Sequence, residues 1–192
     1  MEKGTVYFFT GLAGAGKTTI GGLFYERLKE ISPDAELIDG DRVRSGGSNQ
    51  PNPNVMNEDR YTTEARKSGA WGMFARCRDI AEQGRDVVVC SISMYKEIRD
   101  WNRANIQHYR EIYVKASMDT LYRRDQKRLY SSKAKNVVGV DLPWDEPDSP
   151  DVVVENDGDE SPEEIVENLV ELFLQKEPKH EHSRPAYAQH RV

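Results

Sequence analysis

A chain of 192 residues with 37% hydrophobic content is long enough to bury one core and too short for two domains of ordinary size. Its 27 basic and 33 acidic residues leave a net charge of −6, which argues against a broad nucleic-acid footprint and says little about a small anionic ligand. Two cysteines, Cys77 and Cys90, are too few for a disulfide framework and too widely spaced for a metal site, so both are expected as buried thiols in a reducing compartment. With no signal peptide and no apolar run near the roughly 20 residues of a membrane span, a cytoplasmic protein with neither membrane nor nucleic acid as partner is expected.

In chain order, Val6 to Thr10 reads as an apolar strand, followed by a glycine-rich turn and a helix from Thr18 to Glu30. A second strand, Glu36 to Asp39, leads into a stretch rich in Ser, Gly, Asn and Pro from Ser45 to Val55, which no regular element tolerates. Thereafter helices at Thr62 to Gln83, Met94 to Asn105, Met118 to Leu129 and Pro162 to Gln175 alternate with strands at Asp86 to Ile92, Glu111 to Lys115 and Asp151 to Glu155. The last helix carries its own start signal, Ser161 as N-cap with Pro162 behind it and two acids in the first turn. Such alternation predicts an α/β fold with a five-stranded parallel sheet covered by helices on both faces. It assigns residues 1–176 to one domain and 177–192 to a disordered polar tail, whose His180, His182 and His190 lack the fixed geometry of a metal site.

The turn between the first strand and helix, Gly11-Leu12-Ala13-Gly14-Ala15-Gly16-Lys17-Thr18-Thr19, fits the phosphate-binding pattern G-x-x-x-x-G-K-[ST]. Glycines let successive backbone N–H groups turn around phosphates, Lys17 supplies a point charge, and the Thr18 hydroxyl can take one position on Mg²⁺. A nucleoside triphosphate is the expected ligand, in a P-loop NTPase fold. Asp39-Gly40-Asp41-Arg42-Val43-Arg44 follows the second strand directly, so its charged groups emerge at the carboxyl end of the sheet beside this loop. There an Asp can draw the proton of an acceptor hydroxyl or hold Mg²⁺, and an Arg can grip an anionic group; Asp41 and Arg44 are the candidates.

With these residues in view, the chain from about Val6 to Asn156 resembles the adenylyl-sulfate kinase family. The supports are Gly16-Lys17-Thr18-Thr19, Ile38-Asp39-Gly40-Asp41-x-Val43-Arg44, Ile92-Ser93-x-Tyr95, Arg124-Asp125-x-Lys127-x-Leu129-Tyr130, and Gly139-Val140-Asp141 followed by Glu146-Pro147. The resemblance implies a kinase that moves the γ-phosphate of ATP, with Mg²⁺, to the ribose 3′-hydroxyl of adenylyl sulfate or a closely related nucleotide. It makes Lys17 and Asp41 the catalytic pair. It also implies that Arg44, with Arg60 or Arg66, grips the anionic part of the acceptor, that Ser93 lines its pocket, and that Arg124 and Lys127 begin a small lid over the donor. The implied partner is a small nucleotide acceptor, and a homodimer is compatible with the resemblance.

The departures from that family are concentrated near the acceptor. A Phe-Thr-Gly-Ile-Asp motif, whose ring stacks on the acceptor adenine, corresponds here to Val137-Val138-Gly139-Val140-Asp141, which leaves Val137 at the ring's position. Ten residues separate Tyr130 from Asp141, about four fewer than is usual in the family. Cytidine diphosphoramidate kinases of capsule modification share Gly-Val-Asp after apolar residues, and a pyrimidine needs less stacking surface than adenine. They form the alternative within the family. A nucleotide-dependent switch is the alternative of another class, although it has no need of Asp41, Arg44 or a lid.

Overall fold

The structure, a computed structural model, describes residues 2–40, 63–93, 95–125, 130–131, 137–140 and 142–175. Five parallel strands are present: β1 Val6–Thr10, β2 Glu36–Asp39, β3 Val87–Cys90, β4 Tyr109–Lys115 and β5 Val152–Glu155. Their spatial order is β2-β3-β1-β4-β5, and β1 pairs in register with both neighbours, Val6 facing Val87 on one side and Tyr109 on the other. Every residue of β1 and β3 is buried, which is why both read as continuous apolar runs rather than alternating ones.

Among the described residues the helices are α1 Lys17–Lys29, α2 Thr63–Glu82, α3 Lys96–Asn105, α4 Met118–Arg124 and α5 Pro162–Phe173. One core lies between the sheet and α1 with α5, where Tyr7 meets Phe24 edge-on at 5.0 Å and Ile165 and Leu169 close the layer. The other lies between the sheet and α2 with α3, where Phe8 meets Phe74 at 4.8 Å. Ser161 and Glu164 form a complete capping box at the start of α5, which satisfies two otherwise orphaned donors. No helix among the described residues is long and apolar enough to cross a membrane. Cys77 and Cys90 are buried and unbridged, and burial pushes each thiol up to about 12.

One expected helix is shorter than its sequence pattern. The helix expected from Met118 to Leu129 ends at Arg124, because Asp125 takes a left-handed conformation at φ 34°, and residues 126–129 lie outside the described residues. The Asp125 carboxylate then accepts from the backbone N–H groups of Tyr130 and Ser131 at 3.0 and 3.1 Å. A side chain thus replaces the next helical turn as hydrogen-bond partner. The third helix likewise begins at Lys96 rather than Met94, Tyr95 being extended. The loop expected over Ser45 to Val55 and the tail 177–192 lie outside the described residues.

A buried charged cluster ties α3 to the segment that leads into β5. Arg99 and Glu111, with side chains 3% and 2% exposed, approach to 3.4 Å, and Arg103 reaches the other Glu111 oxygen at 3.2 Å. Arg99 also donates to the carbonyls of Asp145 and Glu146 at 3.0 and 3.2 Å. Burial pushes the Glu111 carboxyl up to about 7 while the two guanidiniums pull it down, as expected where desolvation and opposite charge compete.

Candidate active site

The glycine-rich turn connects β1 to α1 at the carboxyl edge of the sheet. Helix α1 starts with Gly16 at φ 108°, without a side-chain cap and without an acid in its first turn. A helix start of this kind, with first-turn N–H groups and the positive end of the dipole uncapped by any side chain at Gly16, suits an anion.

Four consecutive carbonyls of the turn are held by side chains. Lys17 Nζ donates to Leu12 O at 2.8 Å, the Tyr130 hydroxyl to Ala13 O at 2.7 Å, Arg124 to Gly14 O at 3.4 Å and Asn156 Nδ2 to Ala15 O at 2.7 Å. In a trans peptide the carbonyl of one residue and the N–H of the next point in opposite directions. Holding the oxygens therefore fixes where the amide hydrogens point, which is the preorganisation that phosphate binding requires. Burial pushes the Tyr130 hydroxyl up to about 12, so it stays a donor at neutral pH. Leu12 and Ala15 are buried in the core, and what they present to a ligand is backbone.

Thr18 Oγ1 donates to Asp39 Oδ2 at 3.1 Å, which joins the first turn of α1 to the end of β2. A hydroxyl and a carboxylate so placed are hard oxygen donors of the kind Mg²⁺ takes when phosphates and waters complete its shell. Thr19, also in that turn, is exposed. Lys17 is 8% exposed, close-packed against the turn it serves.

Of the residues expected on the acceptor side, Ser93, Arg66 and Val137 are described, whereas Asp41, Arg44 and Arg60 lie outside the described residues, as does Lys127 of the donor lid. Ser93 is buried and its hydroxyl lies 2.8 Å from that of Ser91. Gly40 backs directly onto Ser91, so the segment that continues to Asp41 leaves β2 beside this pair. Arg66 stands half-buried in the first turn of α2. Val137, 5% exposed, belongs to the same apolar core as Leu12, Tyr130 and Val138. It opens a tight turn in which its carbonyl accepts from both Val140 and Leu142 at 3.1 Å. Gly139, at φ 84°, sits where a Cβ would come within 2.7 Å of the Leu12 side chain, so this turn packs directly on the phosphate loop.

Three residues that the structure brings onto the phosphate loop or its helix were not singled out from sequence. Asp39 stands in the quoted Asp39-Gly40-Asp41 triplet, and its position at the last residue of β2 was the available signal. Tyr130 and Asn156 act on a loop 117 and 141 residues away in the chain, and no local pattern announces such contacts.

With this geometry established, comparison with known proteins gives it a family. The Adenylylsulphate kinase family model matches residues 3–155. A cytidine diphosphoramidate kinase of Campylobacter jejuni is 36% identical over 175 residues, covering 89% of this chain and 95% of that protein. An adenylyl-sulfate kinase of Picosynechococcus is 34% identical over 178 residues, covering 89% and 96%. Among solved structures, an APS kinase of Mycobacterium tuberculosis in complex with AMPPNP and APS superposes with a TM-score of 0.74 at 24% identity, over 91% of this chain and all of that one. The braced phosphate loop, the β2 terminus beside it and these likenesses agree, and the chain belongs to the adenylylsulphate kinase family of P-loop kinases, phosphotransferases with a hydroxyl acceptor.

Proposed function

We propose that the chain transfers the γ-phosphate of ATP to the ribose 3′-hydroxyl of a nucleotide that carries a substituted phosphate, adenylyl sulfate or a close relative of it. The observation that carries this reading is the 3.1 Å contact between Thr18 and Asp39, which puts the phosphate loop and the start of the Asp39-Gly40-Asp41 segment side by side. In this reading the backbone of Gly11 to Thr19 and Lys17 hold the β- and γ-phosphates and stabilise the charge that develops on transfer. Asp41 orients the acceptor hydroxyl and takes its proton. Arg44, with Arg60 or Arg66, holds the acceptor's anionic part, and Ser93 lines its pocket. Arg124, already against Gly14 and Asn156, closes with Lys127 over the donor and excludes water. Mg²⁺, when bound at Thr18 with Asp39 nearby, would supply further neutralisation of phosphate charge.

Between the two acceptors, cytidine diphosphoramidate has the more specific support. The Campylobacter jejuni relative of that name matches over 95% of its own length at 36% identity, and the aliphatic Val137, buried in the core, offers no aromatic platform for adenine. The reading also keeps a cytoplasmic homodimer, to be checked as twice the 22.0 kDa chain mass by light scattering. The test of the reaction is ADP release measured over adenylyl sulfate, cytidine diphosphoramidate and unsubstituted nucleoside diphosphates. Stimulation by one of the first two supports the reading; acceptor-independent hydrolysis as the sole activity contradicts it.

A further inference from the structure

We infer that Asn156 is a positioning residue for the donor, acting through the Ala15 carbonyl on the direction of the Gly16 amide. Its side chain is 7% exposed and stands immediately after β5, where its own backbone N–H donates to Lys115 O at 2.7 Å. From that anchored position Nδ2 donates to Ala15 O at 2.7 Å, and the other end of the carboxamide, Oδ1, lies within 3.5 Å of Arg124. One buried amide thus touches both the phosphate loop and the arginine at the end of α4.

The fit is specific at position 16. A Cβ built on Gly16 would lie 2.4 Å from Asn156 Nδ2, so the amide occupies the volume that any other residue's side chain would need. Gly16 is therefore required twice, by its φ of 108°, which glycine alone adopts readily, and by the side chain that fills its open face. A carboxamide is also the group that donates at one end and accepts at the other without carrying charge. An aspartate would set a negative oxygen against the Ala15 carbonyl, and an aliphatic residue would leave that carbonyl without its donor. Because the peptide is trans, the Ala15 oxygen drawn toward Asn156 aims the Gly16 N–H away from it. Asn156 thereby acts on phosphate binding without touching the phosphates.

The experiment needs no acceptor, so its outcome is independent of which acceptor the enzyme uses. Binding of AMPPNP with Mg²⁺ and of AMP is measured by calorimetry on the full chain carrying Asn156→Ala, alongside its circular dichroism and melting temperature. The loop cradles β- and γ-phosphates that AMP lacks, so loss of the brace is expected to weaken AMPPNP by about tenfold or more, the size of effect that leaving a buried polar group without its partner produces, and to leave AMP within about twofold. If Asn156→Ala fails to fold, Asn156→Ser is read in the same way. In turnover the same change appears as a raised KM for ATP with a smaller fall in kcat at saturation. An unchanged AMPPNP affinity overturns the inference. So does an equal loss for AMP and AMPPNP, which would mean that Asn156 supports the site through Arg124 or the fold at large.

Discussion

At the phosphate loop four successive carbonyls are each held by a side chain, three of them from distant parts of the chain. Among the described residues, the turn that begins at Val137, which packs on the same loop through Leu12, has hydrogen bonds within its own backbone and apolar contacts. The first arrangement depends on the identity of each donor; the second depends on shape and volume. The loop at the donor fits the G-x-x-x-x-G-K-[ST] pattern, whereas the turn at Val137 departs from the motif that the family resemblance implies there. Replacing an aromatic ring by Val137 changes what the turn presents without removing any hydrogen bond that the turn needs. Replacing a donor of the loop would leave a carbonyl uncompensated.

Breaking the donor side should cost most. Lys17→Ala is expected to lower kcat by about 10²-fold or more, comparable to deleting one strong transition-state donor, with a modest fall in melting temperature because the buried Leu12 carbonyl loses its donor. Wild-type turnover in the variant would remove Lys17 from the mechanism. Next in size is Arg99→Ala, which leaves Glu111 buried with Arg103 and the Tyr109 hydroxyl as its remaining partners and takes a donor from the carbonyls of Asp145 and Glu146. Removing one of the two guanidiniums from a buried carboxylate is expected to cost about 2–3 kcal/mol, measured by urea unfolding at pH 8, above the value of about 7 to which burial pushes the Glu111 carboxyl. A change indistinguishable from zero would mean that the clamp on this segment is idle.

The acceptor side should respond to volume. Val137→Phe looks from sequence like restoration of a stacking platform, but a residue 5% exposed among Leu12, Tyr130 and Val138 has no empty space for a ring. Overpacking of about 1–2 kcal/mol is expected, with no gain in kcat/KM for adenylyl sulfate. A gain there, with stability intact, would show that the turn yields and that shape does not decide the acceptor. Removal of residues 177–192 should matter least. On the proposal that this segment, which lacks apolar periodicity, takes no part in the domain, both melting temperature and turnover should stay within experimental error. A fall of several degrees would place this segment on the domain.

Much of this architecture is legible from the chain because its signals are local. The strands appear within a residue or two of their positions, since strands buried on both faces are short uninterrupted apolar runs, and the phosphate loop is contiguous in sequence. The early end of α4 is not legible, because Asp125 takes its left-handed conformation without the glycine or proline that usually marks such a stop. The pairing of Asn156 with Ala15 joins elements 141 residues apart, and the burial of Arg99 with Glu111 arises only when α3 packs on β4. Charged residues in a helix pattern ordinarily read as a solvated face.

The central proposal is that this donor site serves cytidine diphosphoramidate in preference to adenylyl sulfate. It is tested most directly by offering adenylyl sulfate and cytidine diphosphoramidate together, at equal concentration with ATP and Mg²⁺, and following both phosphorylated products by mass spectrometry. The account predicts that the 3′-phosphorylated cytidine product accumulates first and in excess. Phosphorylated adenylyl sulfate as the dominant product, with the cytidine compound left untouched, would contradict that preference.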